Sequence, residues 1–470
     1  MTDLSGGQGV LSGNHHVQWN VWFGGRRIDA AMLEALSATA AADLVAKLPQ
    51  SEAAQALAAM RVPPAAKAAW VLLHRDEALA VSLLGTMNPD HSRSVVAELT
   101  ATFDWLEGLP DAAAAIEQVD VVHATALGAS AGPLTPVSSW AIHGFRRRYE
   151  HGEIRWSPKG SAQIIPASYL ALHEDRLGFP LSPVTPAKVP DGSVTTGEFQ
   201  RYQGGIVVSS AAHGTHAVWG GIGEHYDQVG GTASRLGFPV SGEATAGPSR
   251  AGGGITGWCQ RFEGGAVYWS ERTGAVEVRP DIGGYHDGRG GVTGALGFPA
   301  GATLAAGASP FGTTGEFQRF EGTYDYPSEI LDRWTPEEGV GGCTVYVSEH
   351  GIHAVGAGIG ELYEGINGTS SWLGFPTSGE IDARAEPDEE WCCYATFEGG
   401  AIYWKDAHGA VAVSRVVADL LAGDAGLTRR LGFPVTAERP MLHDVDDGVQ
   451  YFEHGVVTVR DGVAEAWVRP

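Results

Sequence analysis

Four cysteines in 470 residues are too few, and too poorly spaced, for a disulfide framework or a zinc site: Cys392 and Cys393 are adjacent and no CxxC pair occurs. Basic residues are also scarce. Lys and Arg number 31 against 55 Asp and Glu, a net charge of −24, which argues against nucleic acid and anionic lipid surfaces as partners. No apolar run reaches the roughly 18 residues that a membrane span needs. Residues 1–25 lack the basic start, continuous apolar stretch and small-residue cleavage site of a secretory leader, so a cytoplasmic location is expected. The GxSxG elbow, HExxH, the phosphate-binding loop and the dinucleotide fingerprint are all missing, and with them the expectation of catalysis or a cofactor. His213-Gly-Thr-His216 and His350-Gly-Ile-His353 have metal-like spacing, but no third ligand accompanies them and both fall at hairpin turns. Asp444-Val-Asp-Asp-Gly448 opens like a calcium loop without its distal Glu, and reads as a turn. No metal is expected.

What is present is glycine, 66 residues of it, and repetition. Leu-Gly-Phe-Pro stands at 177–180, 236–239, 296–299, 373–376 and 431–434, so successive copies start 59, 60, 77 and 58 residues apart. Periods of this length mark units that cannot bury their apolar faces alone. Leu and Phe, two apart in an extended segment, plug a core, Gly admits a close backbone, and Pro ends the ladder. Leu177 with Phe179, Leu236 with Phe238, Leu296 with Phe298, Leu373 with Phe375 and Leu431 with Phe433 are therefore expected to be structural anchors.

A second signature keeps step with the first. Phe199-Gln-Arg-Tyr-Gln-Gly-Gly205 recurs as Cys259-Gln-Arg-Phe-Glu-Gly-Gly265 and Phe317-Gln-Arg-Phe-Glu-Gly322, with weaker versions at 394–400, 449–455 and 145–152. A β-type run and a Gly-containing turn follow each, which is a hairpin signal, then a short helix-compatible stretch leads to the next tetrapeptide. Cys259 takes the slot of Phe199, Phe317 and Tyr394, and so reads as a small core residue. Residues 323–342 form an insertion between the halves of one hairpin and account for the long spacing. On these motifs, residues 140–470 resemble the LGFP-repeat proteins best known from the envelopes of mycolate-making, high-GC Gram-positive bacteria. The resemblance implies a non-catalytic module that holds proteins to cell-wall polymers.

Ahead of the repeats, Val17-Gln-Trp-Asn-Val21 opens a short, uncharged alternating run to Phe23, and is similar to amyloid-type signalling motifs with a V-Q-x-N core. Homotypic assembly through Val17, Gln18, Trp19, Asn20 and Val21 is one reading; a strand docked on a neighbouring domain is the other. Residues 28–128 are Ala- and Leu-rich, broken at Leu48-Pro49, Pro63-Pro64, Arg75-Asp76, Asn88-Pro89 and Leu109-Pro110, which predicts short helices with starts near Ser51 and Asp90. Leu44, Leu48, Leu57, Met60, Leu72, Leu73, Leu79, Leu83, Leu84 and Met87 supply the seam of a small α-solenoid. The stretch 30–105 is similar to the cytoplasmic helical domain of MgtE-type transporters, without the pore that would carry magnesium sensing. Residues 1–27 read as a flexible N-terminal segment with a short β-prone motif, 129–139 as a linker, and 140–470 as the repeat domain.

Together these predict an α + β multidomain chain, an α-solenoid followed by an all-β repeat domain. Five hairpin units and a closing half, Val449 to Val468 completing a blade opened by residues 145–157, suggest a closed five-bladed propeller-like ring, with an open β-solenoid as the alternative. Candidate binding residues are Arg155 and Trp156, Tyr268 and Trp269, and Tyr403 and Trp404. Alternation puts each Trp on the core face and its Tyr or Arg neighbour outward, where it can stack on a sugar or anchor a protein. The expected function is a non-enzymatic adaptor: repeats as recognition platform, N-terminal part for docking or assembly, and a protein or a glycan as partner. The competing expectation is an envelope protein exported without a leader, whose repeats hold wall glycan.

Overall fold

The computed structural model describes residues 20–469 apart from 24–25, 173–175, 191, 250–253, 323–341, 385–391, 437–438 and 442–443. Of the self-association motif, residues 17–19 lie outside the described residues. Its remainder enters a strand, Asn20–Phe23, paired antiparallel with Arg26–Asp29. The chain forms two compact units, Met1–Glu224 and His225–Pro470.

Seven helices follow the hairpin: α1 Ala30–Ala35, α2 Ala38–Val45, α3 Gln50–Ala59, α4 Val62–Arg75, α5 Glu77–Thr86, α6 Pro89–Leu99 and α7 Leu109–Leu127. Prolines set their edges as the sequence suggests, because a ring without an N–H is tolerated only in a first turn. The caps differ in detail. Asp29, Ser37, Asp76 and Asn88 accept the N–H groups of Met32, Ala40, Leu79 and Asp90, whereas Ser51 lies inside α3 and Asp90 inside α6. α2 packs on α4, α3 on α5, α4 on α6 and α5 on α7, the stacking of a solenoid. Eight of the ten predicted seam residues are buried, and Leu44 and Leu79 pack against them half-covered.

Six four-stranded antiparallel sheets come next, at residues 135–166, 185–219, 244–278, 304–356, 381–414 and 439–468. Each is a simple meander whose strands follow one another in sequence order. This corrects the count of five hairpin units and a closing half. Residues 142–157 already pair on both sides within the first sheet, and Asp444–Phe452 pairs on both sides within the sixth, so neither is a half blade waiting for the other. Among the described residues every strand ladder lies within one sheet, and no barrel or propeller closure is formed by strand pairing. Asp444–Gly448 is strand, not turn. Residues 323–341 lie outside the description, but Phe320 and Cys343 on either side are direct cross-strand partners, as an insertion between paired strands requires.

The segment expected to be a linker, residues 129–139, is part of the first repeat. Thr135–Ser139 is its first strand, and Phe145, Ile154 and Trp156 share one core with α1–α7. Sheets then stack face to face within each unit. Ala266, Tyr268 and Val278 of the third sheet share a core with Val345 and Ala354 of the fourth; Ala401, Tyr403 and Val413 of the fifth share one with Val457 and Val459 of the sixth. A helix fills each join, such as Pro280–Asp287 through Ile282 or Arg415–Gly423 through Val417 and Leu421. Central strands are therefore covered on both faces, and their burial is nearly continuous instead of alternating.

Candidate binding surface

The tetrapeptide is an anchor whose geometry explains both sequence signatures. Leu177, Leu236, Leu296, Leu373 and Leu431 are buried, and so are Phe179, Phe238, Phe298 and Phe375; Phe433 alone is half-covered, within the same core. The glycine sits at φ of +66 to +75° in every copy, a left-handed conformation that side chains resist. The turned chain then lies along the Gln/Glu-Gly segment that follows each Arg-Tyr or Arg-Phe. Glu263 N–H donates to Phe238 O at 3.0 Å and Gly264 N–H to Leu236 O at 2.9 Å, and the same two bonds recur at the other copies. The side chain of that acidic or amide residue closes the loop. Gln203, Glu263, Glu398 and Glu453 accept the N–H of Phe179, Phe238, Phe375 and Phe433 at 2.8, 3.0, 2.7 and 2.9 Å.

The third copy departs from this pattern in one respect. Phe298 is fully buried and its carbonyl accepts Glu321 N–H at 2.9 Å, as at the other turns. The Glu321 carboxylate, however, makes no hydrogen bond among the described residues, and its nearest cation is Arg272 at 3.8 Å. Burial pushes that carboxyl up, against the opposing pull of Arg272. Phe298 is thus an anchor held by packing and by the backbone pair, without the side-chain cap.

This geometry reveals a sixth turn that no motif scan would find. Leu127-Gly128-Ala129-Ser130 ends α7 with Leu127 buried and Gly128 at φ +76°. Glu150 N–H donates to Ala129 O at 3.1 Å, His151 N–H to Leu127 O at 2.9 Å, and Ala129 N–H to Glu150 Oε2 at 3.2 Å. Phe and Pro have been replaced, so only the backbone pattern betrays it.

Repeats are stapled to one another by buried polar side chains. Gln200 and Gln318, both fully buried, each donate to a carbonyl of the preceding sheet, Ile164 and Glu277 at 2.8 Å, and to one in their own repeat, Ser182 at 3.0 Å and Gly301 at 2.9 Å. In the fifth sheet Ala395 takes that slot, and Glu380 supplies the bond instead by accepting Gly356 N–H at 2.9 Å. Burial pushes the Glu380 carboxyl up to about 8. The first sheet has Arg147 in the slot; it donates to Glu117 and Asp120 of α7 at 3.1 and 3.4 Å. An amide suited to a neighbouring strand has become a guanidinium suited to an acidic helix. Hairpin turns add a second staple: His350 pairs with Glu398 at 3.0 Å, while Lys405 and His408 meet Glu453 at 2.8 and 3.0 Å.

Of the three predicted pairs, Trp156 lies in the core as expected but its Arg neighbour is buried as well, and in the two Tyr-Trp pairs the expected orientation is reversed. Arg155 and Trp156 are buried, Trp156 in the helical core and Arg155 paired with Glu153. Tyr268 and Tyr403 are buried in the cores between sheets, whereas Trp269 and Trp404 are the half-exposed members of each pair. The alternation argument fails because both faces of these strands are covered. His216 and His353 each place Nε2 on the carbonyl of the first His, at 2.7 and 2.8 Å, which holds the hairpin turn. Among the described residues no cluster of three His, Cys, Asp or Glu is arranged to hold a metal, and no helix is long and apolar enough to cross a membrane.

Exposed aromatics that the sequence reading passed over lie elsewhere. Phe311 packs on Gly374, and Trp372 stands just before the fourth tetrapeptide, where other copies have Arg176, Arg235, Ala295 and Arg430. Tyr451 and Trp467 project from the sixth sheet. In the first unit a cavity of about 320 Å³ lies among α5, α6, α7 and the first sheet, lined by Met87, Pro89, Pro110, Ala113, Glu117 and Arg147. Its one cation is engaged by Glu117 and Asp120.

A helical solenoid joined to tandem four-stranded sheets, stapled through buried amides and carboxylates, defines a β-repeat protein. The chain carries LGFP repeats: the model of the LGFP repeat matches residues 177–234, 236–294 and 373–426. The copies anchored by Phe298 and Phe433 lie outside those three matches, and the structure shows the same turn at both. No curated protein matches the chain.

Proposed function

We propose that this is a non-enzymatic binding protein whose repeats hold a cell-wall polymer, with the helical segment capping the first repeat. The LGFP repeat, a module usually tied to wall binding, supports this reading. The observation that carries it is the employment of the polar side chains. The carboxylates, amides and histidines of the joins hold neighbouring strands and turns, which leaves exposed aromatics as the groups offered to a partner. Incubation of the full chain with isolated, insoluble wall polysaccharide tests it. Saturable retention is expected; full recovery in the supernatant at every protein concentration overturns it.

A protein-docking adaptor is the second reading, favoured by α7. Its last two turns, residues 121–126, are exposed and carry Val121 and Val122 at 73% and 70%.

A further inference from the structure

One face of the sixth sheet differs from its counterparts in the sheets before it. In the third and fifth sheets, one cross-strand row is Arg261–Ala266–Val278 and Thr396–Ala401–Val413, and the next is Cys259–Tyr268–Val276 and Tyr394–Tyr403–Val411. Ala266, Ala401, Tyr268 and Tyr403, with Val278 and Val413, are buried in cores shared with the following repeat. By the same register, the sixth sheet has Tyr451–Val456–Trp467 and Val449–Thr458–Glu465. Register partners share a face, so Tyr451, Val456 and Trp467 form one straight row over three strands. Trp467 is 73% exposed and Tyr451 48%, where Val413 is fully buried.

The residue changes say what this face no longer accepts. The Trp467 position is held by Ile165, Val218, Val278, Val355 and Val413 in the other five sheets, all buried, so another repeat packed here would have to fit an indole where a Val or Ile lies. Backbone positions two strands apart stand about 9.5 Å from each other, twice the interstrand spacing. That is close to the separation of alternate rings along an extended sugar chain. Thr458 and Glu465 in the next row offer hydroxyl and carboxylate partners to ring hydroxyls. Among the described side chains of this face Arg460 and Glu465 balance, while the chain as a whole carries −24, which disfavours an acidic polymer.

We infer that the open face of the sixth sheet is a glycan-binding platform, with Tyr451 and Trp467 as stacking rings for an uncharged polysaccharide chain. This rests on the wall-polymer reading above and gives it a location and a ligand class. The test is affinity electrophoresis of the full chain, and of a Tyr451→Ala, Trp467→Ala double variant, in gels cast with a neutral glucan, a neutral arabinogalactan or acidic polygalacturonate. Retardation by a neutral polymer and none by polygalacturonate is expected, and the double variant should bind about tenfold or more weakly. Both side chains are exposed, so an unchanged unfolding midpoint shows that the variant is folded. Equal retardation of parent and variant, or retardation by polygalacturonate alone, overturns the inference. So does a dimer by sedimentation that the double substitution dissolves, since the face would then belong to a second copy. The insoluble wall polymer separates the two levels. If parent and variant are retained equally, the platform is wrong and the broader function stands; if neither is retained, both fall.

Discussion

Gln318 donates its side-chain amide to the carbonyl of Glu277 at 2.8 Å, binding one repeat to the repeat before it. The same amide reaches Gly301 O at 2.9 Å, so two buried carbonyls depend on one side chain. Gln318→Leu keeps the volume and removes both donors. A loss of about 1–3 kcal/mol is expected, the cost of buried acceptors left unpaired. Urea denaturation of parent and variant measures it, and a change below a few tenths would mean that the staple is dispensable.

Glu453 predicts a pH dependence on the acid side. Burial would raise its carboxyl, but Lys405, the Phe433 N–H and His408 override it and hold the group at about 2. A depressed carboxylate stabilises the fold above its unfolded pKa, and that stability is lost as pH falls from about 4.3 toward 2. Denaturation midpoints measured through this window should fall more steeply for the parent than for Glu453→Gln.

Glu380 acts with the opposite sign. Burial raises its carboxyl to about 8, so between about 4.3 and 8 the unfolded chain releases this proton while the folded chain keeps it. Its contribution is complete below the unfolded pKa and is lost as pH rises through 8. Glu380→Gln retains an oxygen for Gly356 N–H and removes the titration. The variant should gain on the parent as pH rises from 5 to 9 in a chemical-denaturation series, and parallel curves would refute the assignment.

The tetrapeptide glycine is a third target. A Cβ on Gly237 would stand 2.5 Å from Glu263 Oε2, at a φ of +66°. Gly237→Ala is expected to cost more than about 1 kcal/mol, because strain and displacement of the cap add together. Gly301→Ala meets nothing within 4 Å and serves as the neutral comparison. Thermal unfolding of the pair should separate them by several degrees.

Much of this was legible in the chain itself. The Leu and Phe anchors were expected to be buried, and all but Phe433 are; Pro49, Pro89 and Pro110 fall at helix starts as predicted. What escaped was the partition of the first repeat. Leu127-Gly128-Ala129-Ser130 has lost the residues that make the motif readable and kept only the turn. The outward orientation expected for the Tyr residues failed for a related reason. Alternation assumes one wet face, and Tyr268 and Tyr403 lie on strands that have none.

The sequence alone determined period, turns and anchors, because glycine's freedom, proline's missing donor and the pairing of Leu with Phe are local properties that every copy repeats. Only tertiary structure decided which faces are covered. Burial of a strand depends on what stacks on it from the next repeat, and the register shows that Trp467 in the last sheet stands where Val413 is buried in the one before.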